Sequence, residues 1–369
     1  MKSSPPNHNL RGLRLVAAPK ARRYSVETRD AKRGSSARSA PSGLAVSCLD
    51  SPHGSGEGTS LAIERDCEHE REHEPALEPA LEPELALLRS VLDRFLSEAD
   101  RVQHLAQDPL ALVHEYEDPH DQEVAALLVA MLAYGRVASI RARAKAALGA
   151  LGPRPAVGLA RGRWRRLSGF VYRFQSGEDL PRFLRAVGRV RSAWGSLAGA
   201  FVHGVSKEHT DFVPAMSAFS EALRAEVRGS PDDSYGLRFL FPSPALGGAA
   251  KRLALFLRWM VRPADGVDLG TWARLGVDIA PARLLMPLDT HVHRIASYVG
   301  LCGRKAADLK AAREITENLR RLRPEDPLAY DLPLCHLGIS GACPRRRVPS
   351  VCEHCGIRRL CRLGELPVS

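Results

Sequence analysis

From Glu84 onward, apolar residues recur at the three- and four-residue spacing of a helix, and that periodicity limits the fold more than any other feature of the chain. In ELALLRSVLDRFLSEADRVQHLA, residues Leu85, Leu88, Val91, Leu92 and Phe95 share one face. In EVAALLVAMLAYGRVASIRARAKAALGALG the apolar residues surround the axis from Val124 to Leu132, which predicts a helix buried on all sides. Leu253, Phe256, Leu257 and Met260 form a stripe in AAKRLALFLRWMVR, placing Lys251, Arg258 and Arg262 opposite it. An irregular Gly- and Pro-broken stretch follows, then DTHVHRIASYVGL, where Val292, Ile295, Ala296 and Val299 face inward and Asp289 stands at the N-cap. A last helix is expected from about Ala306 to Arg321. Alternating strand-like runs are absent and Pro and Gly punctuate between helices, so the fold class is all-α.

Length and charge narrow the function. The chain of 369 residues has ample apolar content for one large or two ordinary domains, and no apolar run is long enough for a membrane span. A soluble protein of a reducing compartment, without membrane partners, is expected. Of 53 basic and 42 acidic residues, 12 and 13 lie at or before Leu88, so the helical body carries the whole positive excess. A body this basic points to a polyanion, nucleic acid being the usual one, although a solvated basic surface has the same composition. Residues 1–85 lack apolar periodicity and are expected to be a disordered tail. The first part is Arg-rich and acid-poor, as in an organellar transit peptide, but a flexible linker or an over-long start fits equally well.

Chemistry concentrates at the end, in CPRRRVPSVCEHCGIRRLC. Cys343, Cys352, Cys355 and Cys361 make the pattern C-x8-C-x2-C-x5-C, four soft ligands within one loop. Zinc or an iron-sulfur cubane both suit four thiolates. With one tight CxxC and two distant flanking cysteines, the uneven spacing suits a cluster better than paired zinc knuckles. Disulfides are the weaker reading, because eight cysteines in a chain of this length are too few for a disulfide-built fold. Cys302 and Cys335 lie outside the loop and are expected to be buried.

Three blocks, LGGAAKRLALF, MPLDTHVHRIAS and the cysteine loop, stand in the order found in helix-hairpin-helix DNA glycosylases of the endonuclease III superfamily, which the chain resembles. It resembles more closely an uncharacterised bacterial family, a domain of unknown function, sharing the KRLxxFLRWMVR and PLDTHV blocks over about Leu88 to Cys361. The glycosylase resemblance implies a two-lobed fold: a helical lobe over 86–262 ending in a degenerate hairpin, a second lobe over 263–342, and a [4Fe-4S] loop over 343–361, zinc being the alternative. It implies Lys251 as catalytic nucleophile, Asp289 as catalytic carboxylate, and the four loop cysteines as cluster ligands. DNA contacts are expected from Gly247, Gly248, Tyr134, Arg136, Arg258, Arg346 and Arg358. The second glycine of the superfamily hairpin is replaced by Ala249, the Lys251-to-Asp289 interval is longer than in the superfamily, and the first cysteine gap is two residues wider.

The implied function is base-excision repair by a monomeric, cytoplasmic, nucleoid-associated DNA glycosylase with AP lyase activity, acting on double-stranded DNA with a damaged or mismatched base. The alternative is a non-catalytic nucleic-acid-binding protein that keeps the fold and metal. A lysine nucleophile must be neutral, which desolvation in a cleft or the nearby charge of Arg258 would favour. By residue type alone, Lys251 is equally a solvated or phosphate-contacting lysine, and Asp289 equally a simple N-cap. His291 and His293 diverge on their helix and are expected to be structural or DNA-facing. Arg161, Arg163, Arg165 and Arg166 around Trp164 form the densest basic and aromatic cluster, suited to phosphate or base contacts or to a solvated helix end.

Overall fold

A computed structural model describes residues 82–227, 234–339 and 343–363. The expectations for the N-terminal tail therefore lie outside the described residues, except that residues 83–85 already open a helix. The principal helices are α1 (Pro83–Glu98), α2 (Pro119–Leu132), α3 (Val137–Leu151), α4 (Asp179–Trp194), α5 (Val213–Ala225), α6 (Lys251–Val261), α7 (Thr290–Tyr298), α8 (Leu309–Leu322) and α9 (Asp331–Ile339). Among the described residues there is no strand, only a single antiparallel bridge between Tyr172 and Gln175. The all-α expectation holds. No described helix is long and apolar enough to cross a membrane.

Two hydrophobic cores organise these helices. The first surrounds α2, buried from Asp121 to Leu132 as its all-round apolar pattern predicts. Its polar residues are each matched to a partner that the burial would otherwise leave unpaired. Glu123 accepts the amides of Leu197 and Ala198 at 3.0 and 3.2 Å, capping the short helix Leu197–Val202. Asp121 accepts the Ala156 amide at 2.8 Å, and Gln122 accepts the Thr271 hydroxyl at 2.9 Å. Helix α6 packs along α2 and contributes Leu253, Phe256, Leu257 and Met260 to this core.

The second core joins α1, α7, α8, α9 and the end of the cysteine loop through residues such as Leu92, Ile295, Ile315, Leu334, Ile357 and Leu360. The expected lobe boundaries shift at both ends. Helix α1 belongs with the C-terminal helices, its Leu88 and Leu92 buried there rather than in the lobe that follows it in sequence. Each such leucine contributes about 2 kcal/mol of burial. Leu269, Trp272 and Leu284 belong to the first core, so that lobe extends past residue 262. An amphipathic stripe shows that a face is buried but not which partner covers it, hence the difference. Helix α8 starts at Leu309, where Asp308 caps the Ala311 amide, three residues later than expected.

Candidate active site

The hairpin before α6 is made by left-handed backbone. After the turn Pro244–Leu246, Gly247 has φ +84°, its amide bonds Pro244 O at 2.8 Å, and its carbonyl accepts the Leu309 amide at 3.1 Å. This ties the hairpin to the start of α8. Gly247 and Gly248 are exposed at the tip. Ala250 then takes φ +45°, a left-handed conformation costing a Cβ-bearing residue about 1 kcal/mol, and its carbonyl begins the α6 hydrogen bonding. Lys251 is the first helical residue.

Lys251 Nζ lies 2.7 Å from Asp289 Oδ2, joining residues 38 positions apart. The two carboxylate oxygens divide the work: Oδ1 accepts the His291 and Val292 amides, each at 2.9 Å, while Oδ2 faces the lysine. The N-cap and the acid partner are thus one residue. Burial alone would raise the Asp289 pKa, but the Lys251 charge, its hydrogen bond and the two amides hold it below the ordinary carboxylate value. Burial pulls Lys251 down, yet the charge and hydrogen bond of Asp289 outweigh it and leave the lysine above its usual value. The resting pair is an ammonium and a carboxylate, contrary to the expectation of a neutral amine set by desolvation or by Arg258. The lysine side chain stays 38% exposed, so an approaching group can reach it.

Arg258 has a different role from the one expected of it. It bonds Asp268 Oδ2 at 3.2 Å and also pairs with Asp331, and its side chain is only 8% exposed, so it has no surface to offer DNA. Arg262 bonds both oxygens of Asp326 at 2.9 Å and pairs with Asp268. The face of α6 opposite its apolar stripe therefore carries a buried ion network. Asp331 and Cys335, on α9, bring this network within electrostatic reach of Lys251, and burial pushes the Cys335 thiol up to about 12. Asp108, an exposed residue, also stands within electrostatic reach of Lys251, and desolvation raises its pKa. Neither Asp108 nor Asp331 carries a sequence signal of this placement, because both reach the site only through tertiary packing. His291 donates from Nδ1 to Gly338 O at 2.9 Å and His293 bonds Arg304 O at 3.0 Å, so both fix structure.

A family model described as "Protein of unknown function (DUF2400)" matches residues 108–340, well over half of the chain. The chain belongs to the DUF2400 family. No curated protein and no solved structure matches it. The DUF2400 region contains Lys251, Asp289, the hairpin and the ion network, while the cysteine loop follows it.

Beyond the DUF2400 region, Cys343, Cys352, Cys355 and Cys361 all line one cavity of about 250 Å³. None of the four is in a disulfide among the described residues, which leaves four free thiols lining one space. The Val348 amide points at Cys352 Sγ at 3.5 Å. Burial and the three neighbouring sulfurs raise the Cys361 thiol. The side chains are not gathered to coordination distance: among the described residues no group of three or more His, Cys, Asp or Glu is arranged to hold a metal ion. In donor chemistry, number and shared cavity, the four cysteines fit a thiolate-bound cluster. Arg346 and Arg358 are exposed around the loop, Arg358 on the cavity wall, and Cys302 is buried in the second core as expected.

Of the remaining expected DNA contacts, Arg136 is exposed and Tyr134 is half-buried among other aromatic rings. In the basic cluster, Arg163 bonds Leu151 O at 3.2 Å and Arg165 stacks over Trp164 at 4.4 Å, so part of that cluster is committed to the fold.

Proposed function

We propose that this DUF2400 protein is a DNA base-excision glycosylase with AP lyase activity, Lys251 being the nucleophile and Asp289 its partner carboxylate. The observation that carries the reading is the 2.7 Å Lys251–Asp289 contact, part-buried with the lysine side chain 38% exposed, and built from the first residue of one helix and the N-cap of another. A base inside a duplex shields its sugar carbon, so the substrate nucleotide must leave the stack. Closure over DNA would remove water from the pair, and desolvation favours the neutral forms, passing the Nζ proton to Asp289. The amine then attacks C1′ and the C1′–N bond breaks, its electrons leaving with the base, which takes up a proton. Ring opening gives a Schiff base between Nζ and C1′; loss of a C2′ proton then expels the 3′ phosphate. Asp289 would balance positive charge developing on the sugar and carry these protons.

Cys343, Cys352, Cys355 and Cys361 would hold a [4Fe-4S] cluster. When bound, it would supply loop rigidity and a fixed setting for Arg346 and Arg358 against phosphates. The exposed hairpin tip at Gly247 and Gly248 would meet the DNA backbone, the Gly247 amide itself being bonded to Pro244 O. Such a protein would work in the cytoplasm on nucleoid DNA. The second reading, a nucleic-acid-binding protein without glycosylase chemistry, is favoured by Ala249 in the hairpin and by the charged resting state of Lys251. A base-excision panel on duplexes carrying single lesions or mismatches separates the two. Release of a free base that is lost in Lys251→Ala supports the first, while duplex binding without release from any substrate supports the second.

A further inference from the structure

A cluster of aromatic rings begins one residue from the candidate nucleophile. Arg252, next to Lys251, turns into the protein, donating to Met131 O at 2.8 Å and to Phe239 O. Neither of these partners is a carboxylate. Its guanidinium lies 3.9 Å from the centre of the Phe239 ring and 5.5 Å from that of Tyr134. Upon this base, rings drawn from three separate segments are gathered: Tyr134, Phe174, and the short helix Tyr235–Phe239. Tyr134 lies 5.8 Å from Phe174 at an interplanar angle of 11°, Phe174 meets Tyr235 edge-on at 5.4 Å, and Phe239 meets both Tyr134 and Phe174 at 4.9 Å.

The outermost rings of this stack are not covered by the described residues. Phe174 is 43% exposed and Tyr235 59% exposed. The segment presenting them is held firmly. Tyr172 and Gln175 exchange both backbone hydrogen bonds, at 3.0 and 2.9 Å, leaving Arg173 and Phe174 at the tip of a tight turn, Arg173 with φ +52°. Gln175, fully buried, donates to Gly236 O at 3.1 Å, and Asp179 accepts both the Ser176 amide and the Ser234 hydroxyl. Gly236 allows this closeness, since a Cβ there would lie 2.1 Å from Phe174 O. Fixing an aromatic ring in water at the tip of a braced turn gives up apolar burial that a polar residue would not forgo. Arg173 sits 5.9 and 5.8 Å from the Tyr134 and Phe174 ring centres and is exposed.

We propose that Phe174 and Tyr235 form a stacking platform for an unpaired nucleobase, with Arg173 taking its phosphate. Exposed aromatic rings with a cation beside them fit a ligand that is both planar and anionic, and a nucleotide has both properties. The basic excess of the helical body agrees in sign. The inference rests on the nucleic-acid reading above, but not on the lysine chemistry. The base could come from a single strand or be extruded from a duplex.

The test uses the full-length protein and oligonucleotides containing 2-aminopurine, whose fluorescence falls on stacking: one single-stranded, one duplex with the reporter bulged out, one fully paired. Wild type should quench the unpaired reporters and leave the paired one bright. Quenching of the single strand alone, or of the bulge alone, identifies the source of the base. Phe174→Ala and Tyr235→Ala should each weaken binding to the unpaired probe about tenfold, and Phe174→Trp should restore it. Arg173→Ala should reduce the salt slope by about one. Lys251→Ala should quench like wild type while losing Schiff-base trapping. Quenching unchanged in both alanine variants, equal quenching of the paired duplex, or no binding of any probe overturns the platform. Quenching that depends on Phe174, without trapping in wild type, leaves the platform standing and removes the glycosylase reading.

Discussion

Helix α6 carries cations of two kinds. At its first residue Lys251 meets the Asp289 carboxylate and remains 38% exposed, whereas Arg258 and Arg262, further along, are enclosed by Asp268, Asp331 and Asp326 with under a tenth of each side chain exposed. The buried arginines have carboxylates on more than one side and are committed to the fold. The lysine has, among the described residues, one bonded carboxylate, itself engaged as a helix cap, and an open side. The comparison separates charges enclosed by the fold from a charge left partly open to solvent, although both lie on one helix and look alike in sequence.

The largest stability effect should come from the enclosed side. Asp331→Ala leaves Arg258 short of a partner in the interior and is expected to cost about 3–5 kcal/mol, read as a lower urea midpoint at unchanged slope. If Asp331→Ala cost no more than Lys251→Ala, the distinction would collapse. Next should come Gly338→Ala: its Cβ would lie 2.9 Å from His291 Cβ and 3.1 Å from the His291 backbone, crowding the start of α7. A loss of about 1–3 kcal/mol is expected, together with weaker substrate processing because Asp289 begins the same helix. Asp289→Ala removes cap and charge together and should cost about 1 kcal/mol, while Asp289→Asn keeps an oxygen for the cap and should cost less. The smallest effect should be that of Lys251→Ala, about 0.5–1 kcal/mol, in keeping with a part-exposed ion pair.

The pH dependence sharpens the same contrast. Asp289 lies below its ordinary value in the fold, so its stabilisation is complete above the unfolded value and is lost as pH falls through the lower folded one. Lys251 lies above its ordinary value, so its stabilisation is complete below the unfolded value and is lost as pH rises through the folded one. Burial pushes Asp268 and Asp331 up, which gives the opposite slope on the acid side. Thermal melts across the acid limb should therefore flatten in Asp289→Asn. An identical acid limb in wild type and variant would count against the pair.

Much of the fold was legible because local periodicity carries it. The apolar girdle of Val124–Leu132, the stripe of α6 and the Asp289 cap all follow from residue order. The Lys251–Asp289 pair was legible only through a resemblance, since nothing in either segment says that they meet across 38 positions. The burial of Arg258 and Arg262 was not legible. Their partners Asp268, Asp326 and Asp331 lie in segments without a strong helical pattern, and a lone arginine reads as solvated until its carboxylates are in place. The docking of α1 with the C-terminal helices and the gathering of Tyr134, Phe174, Tyr235 and Phe239 were hidden for the same reason: they are decided by pairing between distant segments.

The cysteine loop offers an independent check on the cofactor proposal. Protein purified without oxygen should be brown with about four irons per chain. Cys352→Ser and Cys355→Ser should remove both colour and iron while Cys302→Ser leaves them. Stoichiometric zinc in a colourless protein would overturn the cluster.

The most direct test of the account is borohydride trapping on abasic and lesion-containing duplexes, followed by mass-spectrometric location of the reduced adduct. A covalent complex joined through Lys251, lost in Lys251→Ala although that variant still folds and binds DNA, is the expected result. Absence of any adduct across the panel, or an adduct that Lys251→Ala forms as well as wild type, would contradict it.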